Sequence, residues 1–469
     1  MNLPVIIQGG MGVQVSSWNL AREVSRAGQL GVVSGTALDL VVARRLQDGD
    51  ASGDIRRAIS HFPIKDMADR VIARYFIEGG RPQSKPYIPV PTISLKPNQQ
   101  AIDIQVVGNF VEVFLAKEGH DGIVGINFLE KVQMATPHAA YGAMLAGVDY
   151  VLMGAGIPAE IPSLLNRLSR HEKFALAVDV DDASVKYFAE IDPQTISGGQ
   201  LPPLKRPQFL AIVSAHVLAA FLNRDEATRP DGFVIEGPTA GGHNTPPRSK
   251  EIDENGEPVF GPRDEADLAK VSALGLPFWL AGGRSTPELV QQAIESGAAG
   301  VQVGTVFALC ENSGFTPHYR NTLRNGIAEQ TLYVKTDRLA SPTGFPFKVA
   351  QVQETVSNDS VYKARPRLCD LGYLRTAYER SPGVVGYRCP SEPIDMYIKK
   401  GGTIEDTEGR MCLCNGLTVT IGIGQTRADG YSEAPLMTLG SDLGGALQLT
   451  KLYPQGWTAV QAIDYMLGK

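Results

Sequence analysis

Moving protons near neutral pH calls for a group such as histidine held at the end of a rigid element, and Gly232 to Asn244, GFVIEGPTAGGHN, supplies one. Phe233, Val234 and Ile235 are a short run of β-formers. Glu236 and Gly237 end it, and Gly241-Gly242 let the backbone turn or press against a ligand. His243 follows at once. A loop after a parallel strand is where an active site is built, so His243 reads as an acid/base; the competing reading is a histidine that caps a turn. Two other glycine clusters, Gly282-Gly283 in LAGGR and Gly304-Thr305 in GVQVGT, offer clustered backbone N–H groups to a phosphate. Gln8-Gly9-Gly10-Met11 would approach a flat ring, with Met11 on its face and glycine amides at its edge. Lys131, just past another strand end, could place its charge beside that ring. Tight turns and a solvated lysine are the plainer alternatives.

These residues need a frame. Apolar runs closed by glycine recur at Pro4 to Gln8, Leu30 to Ser34, Ile123 to Phe128, Asp149 to Met153, Phe209 to Val213, the stretch at Gly232, Pro277 to Leu280 and Gly300 to Val303, with helical patterns between most of them. Gln105 to Asn109 is a ninth candidate, read as surplus strand in an insertion. Alternating strands and helices predict an α/β chain with a parallel sheet, and eight strands predict a closed TIM (β/α)8 barrel. QGGMG lacks the spacing of a dinucleotide fingerprint, which counts against an open doubly wound sheet. The barrel is expected over residues 1–340, with insertions near 51–122, 157–208 and 245–270; a proline-rich part of the first and Val178 to Pro203 read as irregular. Residues 341–469 break the pattern and read as an appended C-terminal region ending in a helix, Thr458 to Leu467.

The segments PVIIQGGMG at Pro4, GAGIP at Gly154, EGPTAGGH at Glu236, LAGGR at Leu280 and GVQVGTVF at Gly300 resemble, in order, the nitronate monooxygenase (2-nitropropane dioxygenase) family. That family includes the flavin-dependent enoyl-acyl carrier protein reductases. The resemblance covers about residues 1–340. It implies non-covalent FMN and makes His243 the catalytic acid/base, with Gln8, Gly9, Gly10, Met11, Lys131, Gly241, Gly242, Gly282, Gly283, Gly304 and Thr305 around the cofactor. Two activities follow: oxidation of alkyl nitronates with O2, and reduction of an enoyl thioester with NADH or NADPH as electron donor. The partners implied are a small-molecule substrate, either a nitronate or an enoyl thioester, and a homo-oligomer or an acyl carrier protein. A third reading makes the chain a synthase-associated partner subunit. Pro238-Thr239 replace an acidic residue that relatives often carry, and Asn244-Thr245 replace a glycine, which bears on substrate.

Composition narrows the rest. The 469 residues are 43% hydrophobic and 20% charged with a net charge of -6, a globular profile without a basic run, so no nucleic acid and no membrane are expected as partners. MNLPVIIQGG lacks the charged start of an export signal, and five cysteines make no disulfide framework, so a cytoplasmic location is expected. Cys369, Cys389, Cys412 and Cys414 are the right number for zinc or an iron-sulfur cluster. Their separations of 19, 22 and 1 intervening residues match no paired CxxC knuckle, and the expectation is free, buried thiols with no metal.

Overall fold

A computed structural model describes residues 3–199 and 201–469; Met1 and Asn2, where the reading of the N-terminus begins, and Gln200, within the stretch from Val178 to Pro203, lie outside the described residues. Eight short strands form the central sheet: β1 (Ile6–Gln8), β2 (Gly31–Ser34), β3 (Val124–Leu129), β4 (Tyr150–Gly154), β5 (Gln208–Val213), β6 (Gly232–Glu236), β7 (Phe278–Ala281) and β8 (Gly300–Val303). From β2 to β8 each pairs in parallel with the next, and β8 pairs back onto β1. The β1–β2 seam is closed by the Ile7–Leu30 bridge, where the Gln8 amide donates to the Leu30 carbonyl at 2.9 Å. The expected TIM barrel is borne out.

Alternate residues of these strands point inward. Ile7, Val32, Leu152, Leu210, Val234 and Trp279 form a separate core inside the barrel, with the Trp279 indole N–H donating to the Pro4 carbonyl at 2.8 Å. This plug leaves only the strands' carboxyl ends free for a ligand. The larger core lies between strands and helices, and it takes in Trp457, Ala459, Ala462, Ile463 and Met466 from the chain's end. The last helix, Ala459–Met466, starts at Thr458 with a capping box, and Trp457 bonds the Val306 carbonyl at 2.8 Å.

Two readings need correction. Gln105 to Asn109 is no strand but the middle of a 19-residue helix, Gln99–Lys117, capped by the Asn98 side chain on the Ala101 N–H. Its β-branched residues are buried on nearly every side, so the burial of an all-round apolar helix overrides their local preference. Part of the region from Val178 to Pro203 is regular: Phe174–Val178 and Tyr187–Ile191 pair antiparallel, and Val180–Asp181 runs beside Thr376–Ser381 of the C-terminal region. Among the described residues no helix is long and apolar enough to cross a membrane.

Candidate active site

The carboxyl ends of the strands surround one cavity. Gly9, Gly10, Met11, Gly241, Gly242, His243, Gly282, Gly283, Gly304 and Thr305 all line it, brought together from the loops after β1, β6, β7 and β8. Gln8 does not: it is fully buried in the barrel seam, its side-chain amide donating to the Val32 carbonyl at 3.1 Å and accepting from the Val32 N–H at 3.0 Å. Lys131 is also off the cavity wall, its Nζ 3.6 Å from the centre of the Phe345 ring. Its charge nevertheless reaches His243.

His243 is fixed from the C-terminal region. Its Nε2 lies 2.7 Å from the Ser341 Oγ and its ring stands edge-on to Phe347, with centroids 4.8 Å apart. The backbone is stitched as well, since the Asn244 N–H donates to Pro346 and the Lys348 N–H to Gly242, each at 2.9 Å. Burial, reinforced by the Lys131 cation, pushes the His243 pKa down to about 4, so the ring is neutral at pH 7. Glu236, at the end of β6 and also on the cavity wall, is pushed the other way. Burial raises its pKa to about 8 against the opposing pull of Lys348, and the carboxyl keeps its proton at pH 7. Burial lowers Lys348 to about 8, and its Nζ bonds Thr336 at 2.5 Å. A neutral histidine able to take a proton thus shares a cavity with a carboxylic acid able to give one.

The walls suit a flat, phosphorylated ring cofactor. Gly282 and Gly283 adopt φ of +93° and +62°, which turns the chain so that clustered N–H groups are available, and Gly304 begins the short helix Thr305–Ala308. At Gly10 a Cβ would stand 2.4 Å from the Asn127 Cβ, so only glycine lets the backbone run so close there. The Asn127 Oδ1 and Gln302 Oε1 are buried without a protein partner, and both residues line the cavity. Such orphaned acceptors ask for N–H or O–H donors from a bound molecule. Asp442 adds a carboxylate beside Gly283, an acceptor suited to a hydroxyl rather than to a phosphate.

Sequence reasoning passed over Ser341, Phe347, Glu236, Asn127 and Gln302, and the segment Leu439–Asp442, which lies across the glycine cradle and gives its Gly440 N–H to the Thr305 Oγ1 at 2.9 Å. The cluster Gly440, Gly444, Gly445 was the available signal for that segment.

Residues 200–338 match the family model described as nitronate monooxygenase. A nitronate monooxygenase of Pseudomonas aeruginosa is 32% identical over 154 residues, 31% of this chain and 41% of that protein. The likeness to the nitronate monooxygenase family is thereby shown. The chain spans about two fifths of the curated relative's length. The nitronate monooxygenase match runs from just before β5 to beyond β8, so it contains His243 and the glycine clusters at Gly282-Gly283 and Gly304, while β1 to β4 lie outside it. FabK from Thermotoga maritima superposes with a TM-score of 0.51 at 15% identity, covering 100% of this chain and 92% of that one, a likeness of fold.

Proposed function

We propose that this chain is an FMN-dependent oxidoreductase of the nitronate monooxygenase type, acting on a small nitroalkane or its nitronate. The observation that carries this reading is the neutral His243 on the cavity wall, held at Nε2 by Ser341. With its pKa near 4 the ring is neutral across the physiological range and so free to accept the α-proton of a neutral nitroalkane, while the same low pKa makes it a weak base. The backbone N–H groups around Gly282, Gly283, Gly304 and Thr305 would hold the FMN phosphate, and Gly9 to Met11 with Asn127 and Gln302 would hold its ring. Bound there, FMN supplies the electron acceptor. Arg284, on the cavity wall, would lend positive charge to the anion that proton loss leaves, while the charge of Lys131 is felt at His243 itself.

The enoyl-thioester reductase reading rests on Glu236. A carboxyl that retains its proton up to about pH 8 could protonate the carbon next to the thioester after hydride addition, with NADH or NADPH as the reductant. Anaerobic mixing separates the two. Bleaching of the flavin by a nitronate alone supports the first, whereas bleaching only by NADH or NADPH, with colour restored by an enoyl thioester, replaces it with the second.

A further inference from the structure

The first two insertions of the barrel face each other across a cleft of about 1190 Å³, larger than the ~300–1,000 Å³ of ordinary small-molecule sites. The first supplies Ile64, Leu95 and Ile102 to its walls, and the second supplies Phe174, Ile191 and Ile196. The cleft shares no lining residue with the cavity that holds His243.

A histidine of the barrel proper reaches this cleft. His138, in the helix Thr136–Leu145 after β3, lines it at 6% exposure, and among the described residues neither ring nitrogen has a hydrogen-bond partner. A neutral imidazole carries one donor and one acceptor, and leaving both unmet at so buried a place is costly. Such a ring asks for a ligand atom. Burial alone pushes its pKa from 6.5 down to about 4, so at pH 7 the ring is uncharged and suits a hydroxyl or carbonyl better than a carboxylate, which would need a cation beside it. The rim agrees. Arg70, Lys96 and Lys173 stand against Asp66, Glu190 and Asp192, so three basic and three acidic side chains leave no net charge to draw an ion of either sign. Two of the bases are also tied down, Arg70 to Asp103 at 2.6 Å and Lys173 to Asp192 at 2.9 Å.

We propose that this cleft is a second binding site, for an uncharged amphiphile whose apolar body lies between the walls of the two insertions and whose hydroxyl or carbonyl oxygen meets His138. The ring N–H donates to that oxygen, and where the ligand is an alcohol its hydroxyl can instead donate to the unprotonated ring nitrogen. No covalent bond is made or broken. The occupant clasps the two insertions together on the outside of the barrel, away from the cavity that holds His243.

Nile red, an uncharged dye with one carbonyl, is the probe, because it emits to the red of any flavin absorption and brightens in apolar surroundings. Titrated into the full-length protein as purified, it should bind saturably at about one per chain. 1-Decanol should displace it, and decanoate and decyltrimethylammonium should do so at least ~10-fold more weakly, since each would bury an unpaired charge. I196W, at a half-buried position where the added ring would fill the cleft, should weaken dye binding at least ~10-fold. H138F should weaken decanol binding by about 5-fold, the loss of one neutral hydrogen bond. Circular dichroism reports whether each variant is folded. The proposal is overturned by the absence of saturable binding, by decanoate displacing the dye as well as decanol does, or by unchanged dye binding in folded I196W, which would place the dye in another cavity. A dimer that I196W splits into monomers would make the cleft an interface between copies of this chain and overturn it equally. If H138F does not fold, I196W and the three decyl competitors decide alone. None of these readouts depends on which substrate the enzyme turns over.

Discussion

His243 and Glu236 have exchanged the usual order of an imidazole and a carboxyl, and this gives each a pH signature. Oxidation of a neutral nitroalkane should hold level from neutrality down to about pH 5 and fall below it with a midpoint near 4, as His243 becomes protonated. Any enoyl reduction should instead decline as the pH rises through about 8, where Glu236 ionises. Rate profiles on the two substrate classes check both. Stability follows the same signs. His243 and the buried His138 have pKa values depressed from 6.5 to about 4, so the unfolded chain takes up protons first and the stability they allow above pH 6.5 is lost as the pH falls toward 4. Glu236 and Glu112, raised from 4.5 to about 8 and about 7, contribute stability below 4.5 that is lost as the pH rises through those values. The two windows overlap between pH 4.5 and 6.5, where their opposite slopes largely cancel, so a melting temperature that is highest there and declines on both sides is the expected result.

At the scale of the element, loops after strands do the holding, and Gly304 tests one of them. Its φ of -111° suits any residue, but a Cβ there would lie 3.2 Å from the Met11 sulfur, at the cavity wall. G304V should therefore keep its melting temperature within a few degrees of the FMN-free wild type and lose most of its flavin, measured as bound FMN per chain. Full flavin occupancy in a folded G304V would show that the cofactor lies elsewhere. The eight strands were legible because each is a short apolar run cut by glycine, and His243 because glycines lead to it. Gln8 was misplaced because a buried glutamine beside glycines reads as a ligand contact, whereas its amide replaces missing ladder bonds at the seam. Ser341 was illegible because it reaches His243, and Phe347 and Leu439 to Asp442 because they reach the cavity, from more than 90 residues further along the chain, and no local pattern records a tertiary contact.

For the whole molecule, the C-terminal region is part of the site. Ser341 bonds the histidine, Leu439 to Asp442 cross the cradle, and Trp457 fills the barrel's outer core at 0% exposure. A chain ended after Ala340 should not yield a stable flavoprotein: removing Trp457 alone would cost about 3–5 kcal/mol, a large share of ordinary stability. Circular dichroism and FMN content of that truncation decide it, and a folded, flavin-bearing 1–340 fragment would make the region a separate attachment. The central claim is that His243 takes a proton inside a flavin site, and anaerobic stopped-flow flavin reduction tests it most directly. With a neutral nitroalkane, H243A should retain FMN yet reduce it at least ~10²-fold more slowly than wild type, while the preformed nitronate reduces both at similar rates. Equal rates for wild type and H243A with the neutral nitroalkane would contradict the account.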